Sequence, residues 1–239
     1  MCRFFVSAVE TWAPPSDRGF VIVGDSITDG RESDNNENDR WPDNLLARMQ
    51  RNSYTKSIAV LNQAAGGNRI LADGNGPNAL GRIDRDVLAQ SGTRYAMIFE
   101  GVNDIGVEPV DPLSQQIIGS RIIQAFEQII TRVHAMGIPM FAATITPFGC
   151  LNSTIQPYSN AEREKTRQRV NAWIRDSGKF DYVVDFDKVV RDPANVTMLN
   201  PIYNSGDCLH PNEDGYMALA NAFDLSVFAR FANGVSGFT

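Results

Sequence analysis

The first residue able to do covalent chemistry is Ser26. It lies in Gly24-Asp25-Ser26-Ile27-Thr28-Asp29-Gly30, directly after the apolar run Phe20 to Val23. A serine hydroxyl is a weak nucleophile and needs a base beside it. Taken alone, a Gly-Asp-Ser stretch reads as a turn or a helix cap. Only two histidines are present, so the choice of base is short. His134 falls in the last turn of a long helical pattern, where an imidazole meets the C-terminal dipole, and reads as structural. His210 falls in Asn204-Ser205-Gly206-Asp207-Cys208-Leu209-His210-Pro211, a loop ahead of the last helical pattern. Asp207 precedes it on a turn-prone segment, where a carboxylate can hold the imidazole Nδ1–H and stabilise the imidazolium.

Two further apolar runs end in groups suited to an oxyanion. After Ile58 to Leu61 comes Asn62-Gln63-Ala64-Ala65-Gly66-Gly67-Asn68-Arg69, and glycine lets a backbone N–H approach a ligand closely. After Tyr95 to Phe99 comes Glu100-Gly101-Val102-Asn103-Asp104, with a side-chain amide as donor. Donors aimed at a developing oxyanion are each worth roughly 3–4 kcal/mol. Each segment has a bland reading; together, at successive run ends, they describe one rim.

The elements that must hold these residues alternate. Short, nearly continuous apolar runs at Phe20 to Val23, Ile58 to Leu61, Tyr95 to Phe99, Ile138 to Ile145 and Tyr182 to Phe186 read as strands buried on both faces of a parallel sheet. Helical patterns separate them, near 42–51, 79–90, 160–177 and 213–231. The clearest covers Ser114 to Met136, where Ile118, Ile122, Phe126, Ile129 and Val133 recur at three and four, and Gly137 and Pro139 end it. The pattern predicts a doubly wound α/β domain with helices on both faces of a five-stranded parallel sheet. Ligands then sit beyond the carboxyl ends of the strands, where all four segments fall.

The four segments, in this order, resemble the conserved blocks of the GDSL/SGNH hydrolase superfamily, over roughly residues 17–232. The resemblance implies a three-layer α/β/α fold of flavodoxin-like strand order. It makes Ser26 the nucleophile and Asp207 and His210 its triad partners. The oxyanion hole would be the Ser26 N–H, the Gly67 N–H and the Asn103 amide. Gly67 is chosen because the family's glycine falls five residues after the Asn ending the second strand, here Asn62, with Gly66 as the alternative. Asp39-Arg40-Trp41-Pro42 looks most like the microbial and fungal branch near xylan-associated esterases. A serine esterase for short acyl groups, acetyl above all, on carbohydrate is therefore expected. Lipase or thioesterase action, acyl transfer, and carbohydrate binding without turnover stand behind it in that order. Asp25, Trp41, Arg69 and Tyr203 are candidates to line a polar substrate site. No metal or organic cofactor is expected. Some members of that branch carry a β-sandwich ahead of the hydrolase domain. Residues 1–16 are accordingly read as an extension, with a strand-like stretch from Phe5 to Trp12, and 17–239 as the hydrolase domain.

Other chemistries fit less well. Gly74-Asn75-Gly76-Pro77-Asn78-Ala79 matches a loose dinucleotide-binding fingerprint but does not directly follow a strand. A P-loop and a Gly-x-Ser-x-Gly elbow are both missing from the sequence. The net charge of −6, with basic residues dispersed among acids, argues against nucleic acid as a partner. No stretch approaches the ~20 apolar residues of a membrane span. Of three cysteines, Cys150 and Cys208 fall in loops and could pair; free thiols are the alternative. The sequons at Asn152 and Asn195 lean weakly toward secretion.

Overall fold

The computed structural model describes residues 9–14, 16–152 and 154–237. Five strands form one parallel sheet: β1 (Arg18–Gly24), β2 (Ile58–Ala64), β3 (Thr93–Phe99), β4 (Met140–Ala143) and β5 (Tyr182–Val184), in the order β2-β1-β3-β4-β5. That is the flavodoxin-like order, whose switch point lies between β1 and β3. Parallel neighbours need a crossover, and the crossovers here are helices. On one side α3 (Ala79–Ile83), α5 (Pro112–His134) and α6 (Ala161–Asp176) pack together; on the other α2 (Trp41–Gln50), α7 (Phe186–Val190) and α8 (Glu213–Ala222) do. The remaining helices are α1 (Ser26–Asp29), α4 (Val102–Val107) and α9 (Val227–Arg230).

Every predicted strand is present, with differences that have physical causes. The expectation that each strand is buried on both faces fails for the two edge strands: only Ile58 is buried in β2 and only Val184 in β5. β2 also runs two residues past Asn62, so Asn62 does not end it. The long helix begins at Pro112, whose fixed φ suits a first turn, with the Asp111 carboxylate accepting from the Ser114 N–H. Its end is marked by Gly137 at φ +70°. The helix expected over 79–90 is α3 continued by a π-helical turn, Asp84–Leu88. The one expected over 213–231 is broken. Phe223 is extended, and the Asp224 carboxylate accepts from both the N–H and the hydroxyl of Ser226. That turn lets Phe223 and Phe228 both meet Phe20 of β1, at ring distances of 5.8 and 5.2 Å. Residues 1–8 lie outside the described residues, and with them half of the strand-like stretch; residues 9–14 are exposed and irregular.

Candidate active site

Three strand ends and one loop converge on a polar cleft of about 1710 Å³. Ser26 opens α1 immediately after β1. The Asp25 side chain caps that helix by accepting from the Ile27 N–H at 2.9 Å, and Gly30 closes it at φ +94°. This tight turn leaves Ser26 in the cleft lining, with its Oγ 2.7 Å from His210 Nε2. On the far side of the ring, His210 Nδ1 lies 2.5 Å from Asp207 Oδ2. A carboxylate only accepts, so it takes the Nδ1–H and leaves Nε2 as the acceptor of the serine proton.

The Asp207 carboxylate also shapes its own loop. Its Oδ1 accepts the N–H groups of Leu209 and His210, at 2.9 and 2.8 Å. Burial works to raise this carboxyl, but the hydrogen bonds from His210 and Leu209 outweigh it and hold the group well below the ordinary carboxylate range. Cys208, between the two residues, adopts φ +62° and is disulfide-bonded to Cys150 with Cα atoms 5.6 Å apart. The disulfide therefore staples the loop that carries Asp207 and His210 to the segment after β4.

Gly66, Gly67 and Asn103 line the same cleft as Ser26 and His210. Gly67 takes φ +72°, a left-handed conformation that favours glycine. The loop is pinned from α4: the Asp104 carboxylate accepts from the N–H groups of Ile70 and Leu71, at 2.8 and 3.0 Å. Asn103 Nδ2 donates to the Asn68 carbonyl at 2.9 Å, which leaves its second N–H.

Beneath the rim lies a charged cluster that spacing did not reveal. Arg82, almost fully buried, bonds the Asn68 side chain and the Asp86 carboxylate and stands 3.5 Å from Glu100. Neither Glu100 oxygen, nor Asp25 Oδ2, has a hydrogen-bond partner among the described residues. Burial drives the Asp25 carboxyl up to about 7, and drives Glu100 well above the ordinary range with help from the charge of Asp25. The one sequence signal is an acidic residue, Glu100, directly after the apolar run Tyr95 to Phe99. Gln156 and Tyr158, which also line the cleft, come from an irregular segment with no such signal.

The four candidate substrate residues need correcting. None of them lines the cleft. Trp41 is fully buried at the start of α2, edge-on to Phe186 at 5.3 Å, with Nε1 donating to Thr28. Asp25 is sealed under Ser26. Arg69 turns back to the carbonyl of Asp73, and Tyr203 packs against the core. The polar wall is instead formed by the loop after α1, including Arg31, Glu32, Asn36 and Asn38. At its outer lip Asp34, Asp39 and Glu213 bring carboxylate oxygens within 4.8 Å of one another, and the charge of Asp34 raises the Glu213 carboxyl. His134 lies far from this rim and bonds Asp181 through Nε2 at 2.8 Å.

A serine at the switch point of a 2-1-3-4-5 sheet, joined to a histidine and an aspartate from a late loop, defines a class of ester hydrolases. The sequence profile of the GDSL-like Lipase/Acylhydrolase family matches residues 22–218, and the chain belongs to that family. It is accordingly a carboxylic ester hydrolase. No curated protein matches the chain. Solved structures share its fold at low identity. A carbohydrate acetylesterase family member from Sinorhizobium meliloti aligns with TM-score 0.66 and 16% identity, over 89% of this chain and 98% of that one. An acetyl xylan esterase from Geobacillus stearothermophilus gives 0.61 and 19%, over 86% and 92%. A GDSL-like lipase from Bacteroides thetaiotaomicron gives 0.60 and 17%, over 89% of each.

Proposed function

We propose that this chain is a serine esterase that removes short acyl groups, acetyl foremost, from carbohydrate through an acyl-enzyme. The observation that carries the mechanism is the in-line contact of Ser26 Oγ, His210 and Asp207. Ser26 attacks the ester carbonyl while His210 Nε2 takes its proton, and Asp207 steadies the imidazolium. The N–H groups of Ser26 and Gly67 and the free N–H of Asn103 meet the oxygen that becomes negative. His210 then returns the proton to the leaving alkoxide. In the second half it deprotonates water, which attacks the acyl-enzyme and restores the Ser26 hydroxyl.

What supports a sugar over a lipid is the cleft. Its walls are mostly charged and amide side chains, and a long alkyl chain would gain little apolar contact there. Two of the fold's solved neighbours are described as carbohydrate or xylan acetylesterases, which makes acetylated xylan the first substrate to try.

Ser26→Ala is expected to lower kcat on p-nitrophenyl acetate on the order of 10⁴-fold or more. His210→Ala should behave alike, while His134→Ala keeps its activity. Full activity in Ser26→Ala removes the mechanism. An acyl-length series alongside acetylated xylan tests the substrate, and a preference for chains above about eight carbons, which a polar cleft should not show, would falsify the carbohydrate reading.

A further inference from the structure

The segment between β4 and α6 sets a tyrosine hydroxyl against the oxyanion amide. Tyr158 Oη donates to Asn103 Oδ1 at 3.2 Å, and both residues face the cleft. The carbonyl of Asn68 can only accept, so its bond to Asn103 Nδ2 fixes which end of the amide is nitrogen. The Asn103 side chain is thus held at both ends, by a carbonyl at its nitrogen and a hydroxyl at its oxygen. Its second N–H has no partner among the described residues and belongs to a residue only 5% exposed.

We infer that Tyr158 is a positioning residue of the oxyanion hole, holding and polarising the Asn103 amide so that its free N–H meets the developing charge. This rests on the acyl-enzyme reading above. A hydrogen bond received at the amide oxygen draws electron density from the nitrogen and strengthens its N–H as a donor. Such a gain grows with the charge on the substrate oxygen, so it lowers the barrier and leaves ground-state binding nearly unchanged.

The surroundings suit this task. The Tyr158 ring rests on Gly106 of α4, where any Cβ would overlap it, and meets Phe148 edge-on at 6.5 Å. The Tyr158 N–H donates to Gln156 Oε1, and Gln156 Nε2 in turn donates to the Asp207 carbonyl at 3.3 Å. With the Cys150–Cys208 disulfide, one segment therefore braces the amide and the triad loop together. Burial, aided by the charge of Asp25, raises the phenol above its ordinary value, so it stays a donor through neutral and mildly alkaline pH.

Tyr158→Phe keeps the ring and removes only the hydroxyl. Expected are a drop in kcat of about tenfold on p-nitrophenyl acetate, a KM within twofold of the parent, and a thermal midpoint within a few degrees. In an Asn103→Ala background the same change should have no further effect on kcat. A boronic acid, whose tetrahedral adduct on Ser26 mimics the intermediate, should bind Tyr158→Phe about tenfold more weakly, while product binding is unchanged. An unaltered kcat, a rise in KM alone, or a full additive loss beside Asn103→Ala overturns the inference. A Tyr158→Phe chain that unfolds overturns it too, because the role is then structural. Ser26→Ala in the same series separates the two levels. If it stays active the mechanism fails; if it is inactive and Tyr158→Phe is normal, only the role of Tyr158 fails.

Discussion

Asp25 precedes Ser26, yet its charge is costly where it sits. Its folded value of about 7 lies above the ordinary 3.8, because burial disfavours the carboxylate more than the Ile27 N–H favours it. Asp104, at about 6, and Glu100 are raised in the same sense. The folded chain thus holds these protons more tightly than the unfolded one. The stability they contribute is fully present below about pH 4 and is lost as pH rises through 6 and 7. Asp207 and Asp185 are depressed, so their contribution is present above about pH 4 and lost in acid. Stability should therefore peak on the acid side of neutrality. In Asp25→Asn the amide oxygen can still cap Ile27, and the decline in thermal midpoint from pH 5 to 8 should become shallower. An equally steep decline would locate the cause elsewhere. On the proposed mechanism, Asn103→Ala should cost kcat about 100-fold with little change in KM, the loss that removing one oxyanion donor brings. At this scale the sequence was legible where chemistry demands rare types. Two histidines and one strand-end serine left little choice, whereas Arg82, Glu100 and Tyr158 act through neighbours that only folding supplies.

Elements were legible in proportion to their length. The apolar runs of the sheet and the three- and four-residue spacing of α5 carry a full period. α1, α4 and α7 are too short to hold a period, and α1 and α7 depend on their caps Asp25 and Asp185. Trp41 reads as a candidate for the polar site because its place beside the first block is visible in sequence, while its partner Phe186 lies far along the chain. The disulfide is the element-scale feature with the largest measurable effect. It closes a separation of 58 residues, which the chain-entropy account values at about 4 kcal/mol. Cys150→Ser/Cys208→Ser should unfold at a clearly lower urea concentration than the parent, and reduced parent should match it. Coincident curves for oxidised and reduced parent would show that the staple adds nothing. Because Cys208 stands between Asp207 and His210, kcat should fall in the same variant.

For the whole molecule, the α/β class followed from alternation, and the strand order from the resemblance that the four blocks carry. The closing of the second face did not follow. It depends on the bend at Asp224, which folds Phe223, Phe228 and Phe231 onto Phe20 and Phe141. Polar bonds finish the seam: Arg18 donates to the Tyr95 hydroxyl, and that hydroxyl to the Phe228 carbonyl at 2.8 Å. A chain ended after residue 222 keeps Ser26, Asp207 and His210, but it should precipitate on expression, since the aromatic face of its sheet loses its cover. Soluble, active protein from that truncation would deny the seam its importance. The same seam governs how the protein is made. Phe20 and Phe141 leave the ribosome well before Phe223, Phe228 and Phe231, the aromatics that cover them. Until those residues emerge, the growing chain exposes a sticky sheet face that nothing of its own can yet hide. Its yield in a cell should then depend less on final stability than on how well chaperones shield that face until release.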